Sequence, residues 1–171
     1  IILAANGKAF CAGHDLRQMQ AARANRDGGR AGYAALFEGC SQLMQLITTL
    51  PQPVIAEVQG IATAAGCQLV ASCDLAVAAQ AVRFGVNGID VGLFCSTPAV
   101  ALSRAVPRKS AFEMLVTGDF ITAPEAQRLG LINRAVAAGK LEAETMALAQ
   151  KIAAKLPAAI AMGKRSFYEQ L

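Results

Sequence analysis

Short apolar runs alternate with helical patterns along the first two thirds of the chain. Residues 1–5, 54–58 and 75–79 are rich in Ala, Val, Ile and Leu and are bounded by polar, Gly or Pro residues, which predicts buried strands. Residues 82–84 predict one more small strand. Strands that alternate with helices favour an α/β fold with crossover connections.

A long helix is predicted between the first two strands. Its apolar positions recur at helical spacing on one face: Leu36, Phe37, Cys40, Leu43, Met44, Ile47 and Leu50. The helix is predicted over residues 33–49 and ends before Pro51. A second, short helix is predicted at 64–72. The polar stretch 17–32 contains Asp27-Gly28-Gly29 and predicts a loop.

The last third of the chain is predicted to be helical, over residues 97–103, 109–117, 140–156 and 157–171. Thr122-Ala123-Pro124-Glu125 is typical of a capping box that begins a further helix, and Gly130 ends that helix. We expect one stripe of helix 140–156 to face the core or another subunit; it consists of Leu141, Thr145, Leu148, Ile152 and Leu156.

The composition places this chain among globular domains. Its 171 residues are 54% hydrophobic and 16% charged, which excludes a disordered chain. No apolar run approaches the roughly 20 residues that span a bilayer, so we predict no membrane span. The chain begins inside a predicted strand without a Met, which we interpret as a truncated start that hides any targeting segment.

The net charge of +4 goes with a cluster of four arginines in the polar stretch: Arg17, Arg23, Arg26 and Arg30. Such a cluster forms either a solvated face or a surface that attracts a polyanionic ligand, for example a cofactor phosphate. Basic residues that bind nucleic acid are interleaved with aromatic residues, whereas here only Tyr33 lies nearby. We therefore predict no nucleic-acid partner.

The cysteine and histidine content indicates the redox compartment of the protein and bears on whether it has a metal site. The five cysteines are odd in number and show no Cys-x-x-Cys spacing: Cys11, Cys40, Cys67, Cys73 and Cys95. They indicate buried thiols of a reducing compartment, either cytoplasmic or mitochondrial, and no disulfide framework. His14 is the single histidine, so we predict no metal site based on histidine.

Two segments of small residues carry the strongest functional signal. Phe10-Cys11-Ala12-Gly13-His14-Asp15-Leu16 is the first turn, and Gly60-Ile61-Ala62-Thr63-Ala64-Ala65-Gly66-Cys67-Gln68 is the second turn. A Gly and Ala turn that begins a helix leaves backbone N–H groups unpaired and lets a ligand approach them. Two such turns side by side would direct two donors at one oxygen, which is the geometry of an oxyanion hole for acyl chemistry.

Motifs along nearly the whole chain resemble the enoyl-CoA hydratase/isomerase (crotonase) superfamily. They are Lys8-Ala9-Phe10-Cys11-Ala12-Gly13-His14-Asp15-Leu16, Pro53-Val54-Ile55-Ala56-Glu57-Val58-Gln59-Gly60, Ala65-Gly66-Cys67-Gln68-Leu69, Cys73-Asp74-Leu75, Thr117-Gly118-Asp119-Phe120-Ile121-Thr122-Ala123 with Glu125-Ala126, and Gly130-Leu131-Ile132. The resemblance implies an α/β fold built as a ββα superhelix, with a core at 1–105 that lacks its first strands. It also implies a helical oligomerisation region at 106–171, in a homotrimer or homohexamer.

The same resemblance implies a coenzyme A thioester as ligand, no permanently bound cofactor, and a lyase or isomerase role in fatty acid metabolism. It assigns the two oxyanion donors to the backbone N–H groups of His14 and Ala65. It places Ala12, Gly13, Asp15 and Leu16 near the adenine of coenzyme A, and adds Gly66, Gly88, Asp90 and Leu93 as substrate-binding residues. Two readings stay open: Asp15 either binds or only caps a helix, and His14 acts through its ring or only through its amide.

The chain departs from the superfamily at the two glutamates with which hydratases position water and transfer its proton. By position, the first falls on Gln68 and the second on Gly88. The Gln68 amide does not transfer a proton, and Gly88 contributes only space. Gln68 is able to hold a water. Two replacements are open: Asp90, unless it only bonds its own loop, and Cys95, whose activation as a nucleophile would require His14 as the base.

Residues 85–98 together with Gln68 resemble one subgroup of the superfamily whose reaction is poorly defined.

The sequence leaves three candidate functions open. The first is an acyl-CoA enzyme with an intact oxyanion hole and an altered acid–base set, and the second is a non-catalytic acyl-CoA-binding or assembly protein. The third is a serine hydrolase, which would need His14 in a Ser-His-Asp set.

Overall fold

Two parallel sheets form the centre of the computed structural model, which describes residues 1–170. The first sheet has the order β1-β3-β5-β8 and contains β1 (Ile2–Ala4), β3 (Ile55–Val58), β5 (Leu75–Ala79) and β8 (Arg134–Val136). The second has the order β2-β4-β6-β7 and contains β2 (Ala9–Cys11), β4 (Ile61–Thr63), β6 (Arg83–Gly85) and β7 (Ile121–Thr122). All neighbours are parallel except β6 and β7.

From β1 to β6, consecutive strands alternate between the two sheets, whereas β7 stays in the second sheet beside β6. The chain leaves β3 in the first sheet, enters β4 in the second and continues into a helix, and β5 and β6 repeat this path. The repeating unit is therefore two strands and a helix, which confirms the predicted ββα superhelix. Because β2, β4 and β6 are parallel neighbours, the loops that follow them meet at one edge of the second sheet.

Eight helices surround the sheets within residues 1–170: α1 (Leu16–Ala22), α2 (Arg30–Thr49), α3 (Ala65–Ser72), α4 (Ser96–Ala105), α5 (Arg108–Thr117), α6 (Ala123–Leu129), α7 (Leu141–Ala153) and α8 (Pro157–Glu169). Short 3₁₀ segments occur at Asn87–Val91 and Ala138–Lys140. The predicted last helix extended to Leu171, which lies outside the described residues. None of the described helices is both long and apolar enough to cross a membrane.

Most strands and helices lie where the apolar periodicity predicted them, and the errors are informative. The stretch 17–32 was predicted as a loop, but α1 occupies its first part and α2 begins at Arg30. The last third contains β7 and β8, which the sequence prediction missed because two or three residues are too few to show a period. Leu156, predicted in the core stripe, is 70% exposed, since α7 ends at Ala153.

A buried polar group ties the last helix to the amino ends of β3 and β5. Asp74 Oδ2 accepts from the Val54 amide at 2.6 Å and from Lys164 Nζ at 2.7 Å, and Asp74 Oδ1 accepts from the Tyr168 hydroxyl at 2.9 Å. Lys164 Nζ has further acceptors, the carbonyl oxygens of Ile47 at 2.8 Å and Gln52 at 3.1 Å. The Asp74 and Lys164 side chains are only 12% and 6% exposed. We call these residues the Asp74 cluster.

Candidate active site

The two turns predicted from the sequence are in direct contact. A methyl group placed on Gly13 would lie 3.1 Å from Ala64 Cβ and 3.2 Å from the Ala65 nitrogen. A methyl group on Gly66 would overlap the Cys11 carbonyl, so the main chains of the turns approach as closely as glycine allows. The first residues of both segments form strands that the sequence did not predict, since Phe10 and Cys11 belong to β2 and residues 61–63 are β4. The remaining residues turn directly after these strands, so their contact is a consequence of the parallel pairing of β2 with β4.

The second turn places a strained residue directly before a helix. Ala64 has φ 51° and ψ −122°, and within residues 1–170 no other residue except glycine has a positive φ. Such a conformation is unfavourable for alanine and persists only when the surroundings impose it. Ala65 is the first residue of α3, whose amino end carries a positive partial charge.

The backbone amides of His14 and Ala65 lie in these two turns. Across residues 1–170, neither the His14 N–H nor the Ala65 N–H has a hydrogen-bond acceptor. The His14 ring packs edge-on against Phe37 of α2, with ring centroids 5.6 Å apart. This packing accounts for the position of the His14 ring.

The remaining residues of the first turn have different surroundings. Asp15 is the N-cap of α1, and its Oδ1 accepts from the Arg17 amide at 2.8 Å. The capping alternative is therefore confirmed for this side chain. Ala12 and Leu16 are exposed beside the turn, and Leu16 is 55% exposed.

Gln68 lies one turn into α3 and is 7% exposed. Its Oε1 atom is fully buried and has no hydrogen-bond partner in the described part of the chain. A buried polar atom without a partner is costly and typically marks a place where a ligand or water binds. This is the position at which the resemblance places the first hydratase glutamate.

Gly88 differs from what the sequence suggested. We interpreted it as a residue that leaves only space, but a methyl group there would lie 2.5 Å from the Leu93 carbonyl oxygen and 2.8 Å from Cys95 Sγ. The loop is closed by a hydrogen bond of 2.9 Å from the Leu93 amide to the Gly88 carbonyl. The volume in which a second glutamate would begin is therefore already filled, partly by the Cys95 thiol.

Asp90 packs against a neighbouring helix. Its carboxylate lies beside Gly118, where a methyl group would be 2.7 Å from Oδ1. Gly118 ends α5, so Asp90 packs against the carboxyl end of that helix. This contact accounts for the position of the carboxylate, and its role as a replacement for the second glutamate stays a prediction. Leu93 closes the loop through its amide, and its carbonyl lies beside Gly88. The residue is 47% exposed.

The sequence analysis missed one polar contact at this edge. The Thr63 hydroxyl, at the end of β4, donates to Asn87 Oδ1 at 2.6 Å, and both residues are half-buried. Asn87 begins the 3₁₀ segment directly after β6. Its signal in the sequence was weak, since an Asn before Gly is typical of an ordinary turn.

The cysteines are all free thiols. Burial, and to a lesser extent the neighbouring Cys95, raises the pKa of the Cys67 thiol to about 12. Cys67 is therefore an inert, protonated core residue at neutral pH.

Among residues 1–170 no group of three metal-ligating side chains comes together. The four clustered arginines of the α1–α2 region are exposed: Arg17, Arg23, Arg26 and Arg30.

A ββα superhelix with two touching amide turns defines a class of protein, and comparison with known sequences identifies it. The model of the family described as enoyl-CoA hydratase/isomerase matches residues 1–171. The chain belongs to this family.

Several relatives carry the name of one subgroup, as the loop pattern predicted. The chain is 53% identical over 171 residues to the mouse (Mus musculus) protein named enoyl-CoA hydratase domain-containing protein 3, mitochondrial, and covers 55% of it. The crystal structure of human enoyl coenzyme A hydratase domain-containing protein 3 has 50% identity and a TM-score of 0.91, with 99% of this chain and 65% of that chain covered.

A bacterial structure is also similar. The crystal structure of an enoyl-CoA hydratase from Mycobacterium smegmatis has 61% identity and a TM-score of 0.93 and covers 99% of this chain and 64% of that chain. The chain spans about half the length of these curated relatives.

Proposed function

We propose that the protein binds an acyl-CoA thioester and stabilises negative charge on the thioester oxygen with the backbone amides of His14 and Ala65. The observation that carries this proposal is the contact of Gly13 with Ala64 and Ala65 at the amino end of α3. In support, neither the His14 amide nor the Ala65 amide has an acceptor within residues 1–170. A donor of this kind is worth roughly 3–4 kcal/mol of transition-state stabilisation in other enzymes.

The reaction that this site supports is enolate chemistry with few carboxylates, such as isomerisation, decarboxylation or thioester cleavage. Hydration by two glutamates is not supported, because Gln68 carries an amide and the volume beside Gly88 is filled. We assign to Gln68 the binding of a water or substrate polar group through its buried Oε1 atom. Coenzyme A enters as part of the substrate, and no permanently bound cofactor is proposed.

Removing one amide tests the proposal in the full-length protein. Ala65→Pro deletes the N–H at the first position of α3, where proline is tolerated in helices. We expect exchange of the α-protons of butyryl-CoA with D₂O to fall about 100-fold or more. If this variant does not fold, a backbone ester at position 65 removes the same N–H. Unchanged exchange in a folded variant would overturn the assignment of Ala65.

A panel of enoyl-, β-ketoacyl- and malonyl-type thioesters identifies the reaction. Turnover of any of them supports the enzyme. A non-catalytic acyl-CoA-binding or assembly protein is the second candidate, and the observation in its favour is the closed loop of Gly88, Leu93 and Cys95. Tight thioester binding with no turnover on the whole panel, and no proton exchange, would establish that candidate instead.

We further propose a homotrimer or homohexamer in which region 106–171 supplies the contacts. In support, several large apolar side chains of α5 and α8 are exposed: Phe112, Val116, Met162 and Phe167. We also propose a reducing compartment, because the chain has five free thiols. The names of several relatives favour the mitochondrial option over the cytoplasmic one. Sedimentation of the full-length protein and cell fractionation test these two assignments.

A further inference from the structure

The conformation of Ala64 determines where the Ala65 amide points. Since φ 51° and ψ −122° are unfavourable for alanine, neighbouring groups must hold this residue in place. A relaxation of Ala64 towards an ordinary conformation would rotate the peptide that it shares with Ala65, and that peptide contains the proposed oxyanion donor.

Two main-chain hydrogen bonds hold Ala64. Its N–H donates to the Gly85 carbonyl at 3.0 Å, and its carbonyl accepts from the Gln68 amide at 3.1 Å. On the other side, Gly13 of the first turn packs against Ala64 Cβ. These contacts hold Ala64 from two sides.

One side-chain contact adds to them. The Thr63 hydroxyl donates to Asn87 Oδ1 at 2.6 Å in a half-buried position, where a hydrogen bond is stronger than at the surface. Gly85 ends β6, and Asn87 lies two residues further along the chain. The same segment therefore binds the Ala64 N–H through the Gly85 carbonyl and the Thr63 hydroxyl through Asn87 Oδ1. Asn87 itself is fixed at the start of the 3₁₀ segment Asn87–Val91, whose loop closes on Gly88.

We propose that Asn87 is a positioning residue, which acts through Thr63 to fix the direction of the Ala65 amide. This inference rests on the proposed function and deepens it. Asn87 does not touch the reacting atoms in this account. Its role is to accept the hydrogen bond from the Thr63 hydroxyl, so that Thr63-Ala64-Ala65 keeps the geometry that an oxyanion requires.

Three variants of the full-length protein separate this role from general stability. Thr63→Val has nearly the same shape but loses the donor, and Asn87→Ala loses the acceptor. Thr63→Ser keeps the hydroxyl and is the rescue control. The kcat and KM are measured with the thioester of the panel that the unmodified protein turns over. We expect the first two variants to reduce kcat by about tenfold or more and to change KM by less than about twofold, since a small misplacement of a catalytic group lowers the rate steeply. Thr63→Ser is expected to stay within about threefold of the unmodified protein.

The decisive readout is the carbonyl stretch of bound butyryl-CoA that carries ¹³C at the thioester carbon. Donors directed at the oxygen polarise the C=O bond and lower its frequency. We expect a clear downshift in the unmodified protein and in Thr63→Ser, and a smaller one in Thr63→Val and Asn87→Ala. Far-ultraviolet circular dichroism confirms that each variant is folded.

The outcomes distinguish the two levels of the hypothesis. If the unmodified protein shows the downshift and both variants retain it together with their kcat, the positioning role is overturned while the proposed function stands. If bound butyryl-CoA shows no downshift in the unmodified protein, the oxyanion site itself is overturned and this inference with it. If Thr63→Val does not fold, Asn87→Ala decides the question alone.

Discussion

Polar groups are hydrogen-bonded within the fold in one region of the molecule and lack partners in another. The first region lies at the amino ends of β3 and β5, and the second at the carboxyl ends of β2, β4 and β6. In the Asp74 cluster, each carboxylate oxygen accepts a hydrogen bond and the Lys164 ammonium has three acceptors. At the other region, two amides and Gln68 Oε1 have no partner within residues 1–170, and Ala64 is strained. The polar groups of the first region are satisfied within the fold, whereas those of the second have no partner among the described residues.

This difference agrees with the architecture of parallel sheets, in which ligands bind beyond the carboxyl ends of the strands. Hydrogen bonds that are satisfied internally stabilise the fold, and unsatisfied donors held in a fixed geometry are available for binding. Substitutions in the Asp74 cluster should therefore affect stability, while substitutions at the turns should affect activity and stability in different directions.

The largest expected effect comes from Asp74→Ala. It leaves the Val54 amide and the buried Lys164 ammonium without their carboxylate, so we expect the free energy of unfolding to fall by about 3–5 kcal/mol. Chemical denaturation measures this loss. The matched control is Glu169→Ala, which removes the exposed Arg165–Glu169 pair on the same helix and should change stability by less than about 0.5 kcal/mol. Equal effects of the two variants would contradict the distinction between the regions.

A smaller loss is expected from Gly88→Ala at the site. The added methyl group meets the Leu93 carbonyl and Cys95 Sγ, so we expect the free energy of unfolding to fall by about 1–3 kcal/mol. Gly39→Ala is the control, because a methyl group there has no atom within 4 Å and lies in α2, where alanine should raise stability by up to about 1 kcal/mol. If Gly88→Ala is as stable as the unmodified protein, the loop is not closed as described.

Alkaline pH tests whether both regions are equally buried. Burial raises the pKa of Cys67, near the turns, and of Cys73, beside the Asp74 cluster, to about 12 from an ordinary value of 9.0. The folded state therefore keeps these protons between pH 9 and 12 while the unfolded state loses them. Stability is complete below pH 9 and falls as the pH rises, by roughly 1 kcal/mol per thiol at pH 10.

The measurement is denaturation at pH 8, 9 and 10 of the unmodified protein, Cys67→Ala and Cys73→Ala. Each alanine variant should show a shallower decline of stability with pH than the unmodified protein. A decline of the same slope in one variant would mean that the corresponding thiol is accessible to water in the folded state.

The smallest effect has the opposite sign. Ala64→Gly relieves the unfavourable backbone conformation, and after the entropic cost of glycine we expect the free energy of unfolding to rise by about 1 kcal/mol. Turnover should fall, because the turn is less rigidly held. Ala147→Gly in the middle of α7 is the control and should lower stability by about 1 kcal/mol. A fall in stability for Ala64→Gly would show that its conformation carries no strain.

The sequence predicted the longer parts of the fold and the main features of the candidate site. Helix α2 and strand β5 follow from apolar periodicity, and the touching turns follow from runs of Gly and Ala next to predicted strands. The Thr122 cap of α6 was predicted from its spacing to Glu125, whose amide donates to the Thr122 hydroxyl at 3.4 Å. The side chain of Glu125 instead pairs with Arg128.

Other features had no local signature. The direction of Asp90 depends on where α5 ends, and the filling of the volume beside Gly88 depends on how the loop returns to Cys95. Neither is visible in a window of neighbouring residues. The same holds for β7 and β8, which are defined by the strands they pair with and not by their own composition.

By itself, the sequence determined the longer strands and helices, the small-residue turns and the family. The tertiary structure alone decided the strain at Ala64, the Thr63–Asn87 contact and the union of Asp74 with Lys164, which are 90 residues apart in the chain. The physical reason is that periodicity and turn preference act within a segment. Hydrogen bonds and close packing between distant segments depend on the register of the sheets that bring them together.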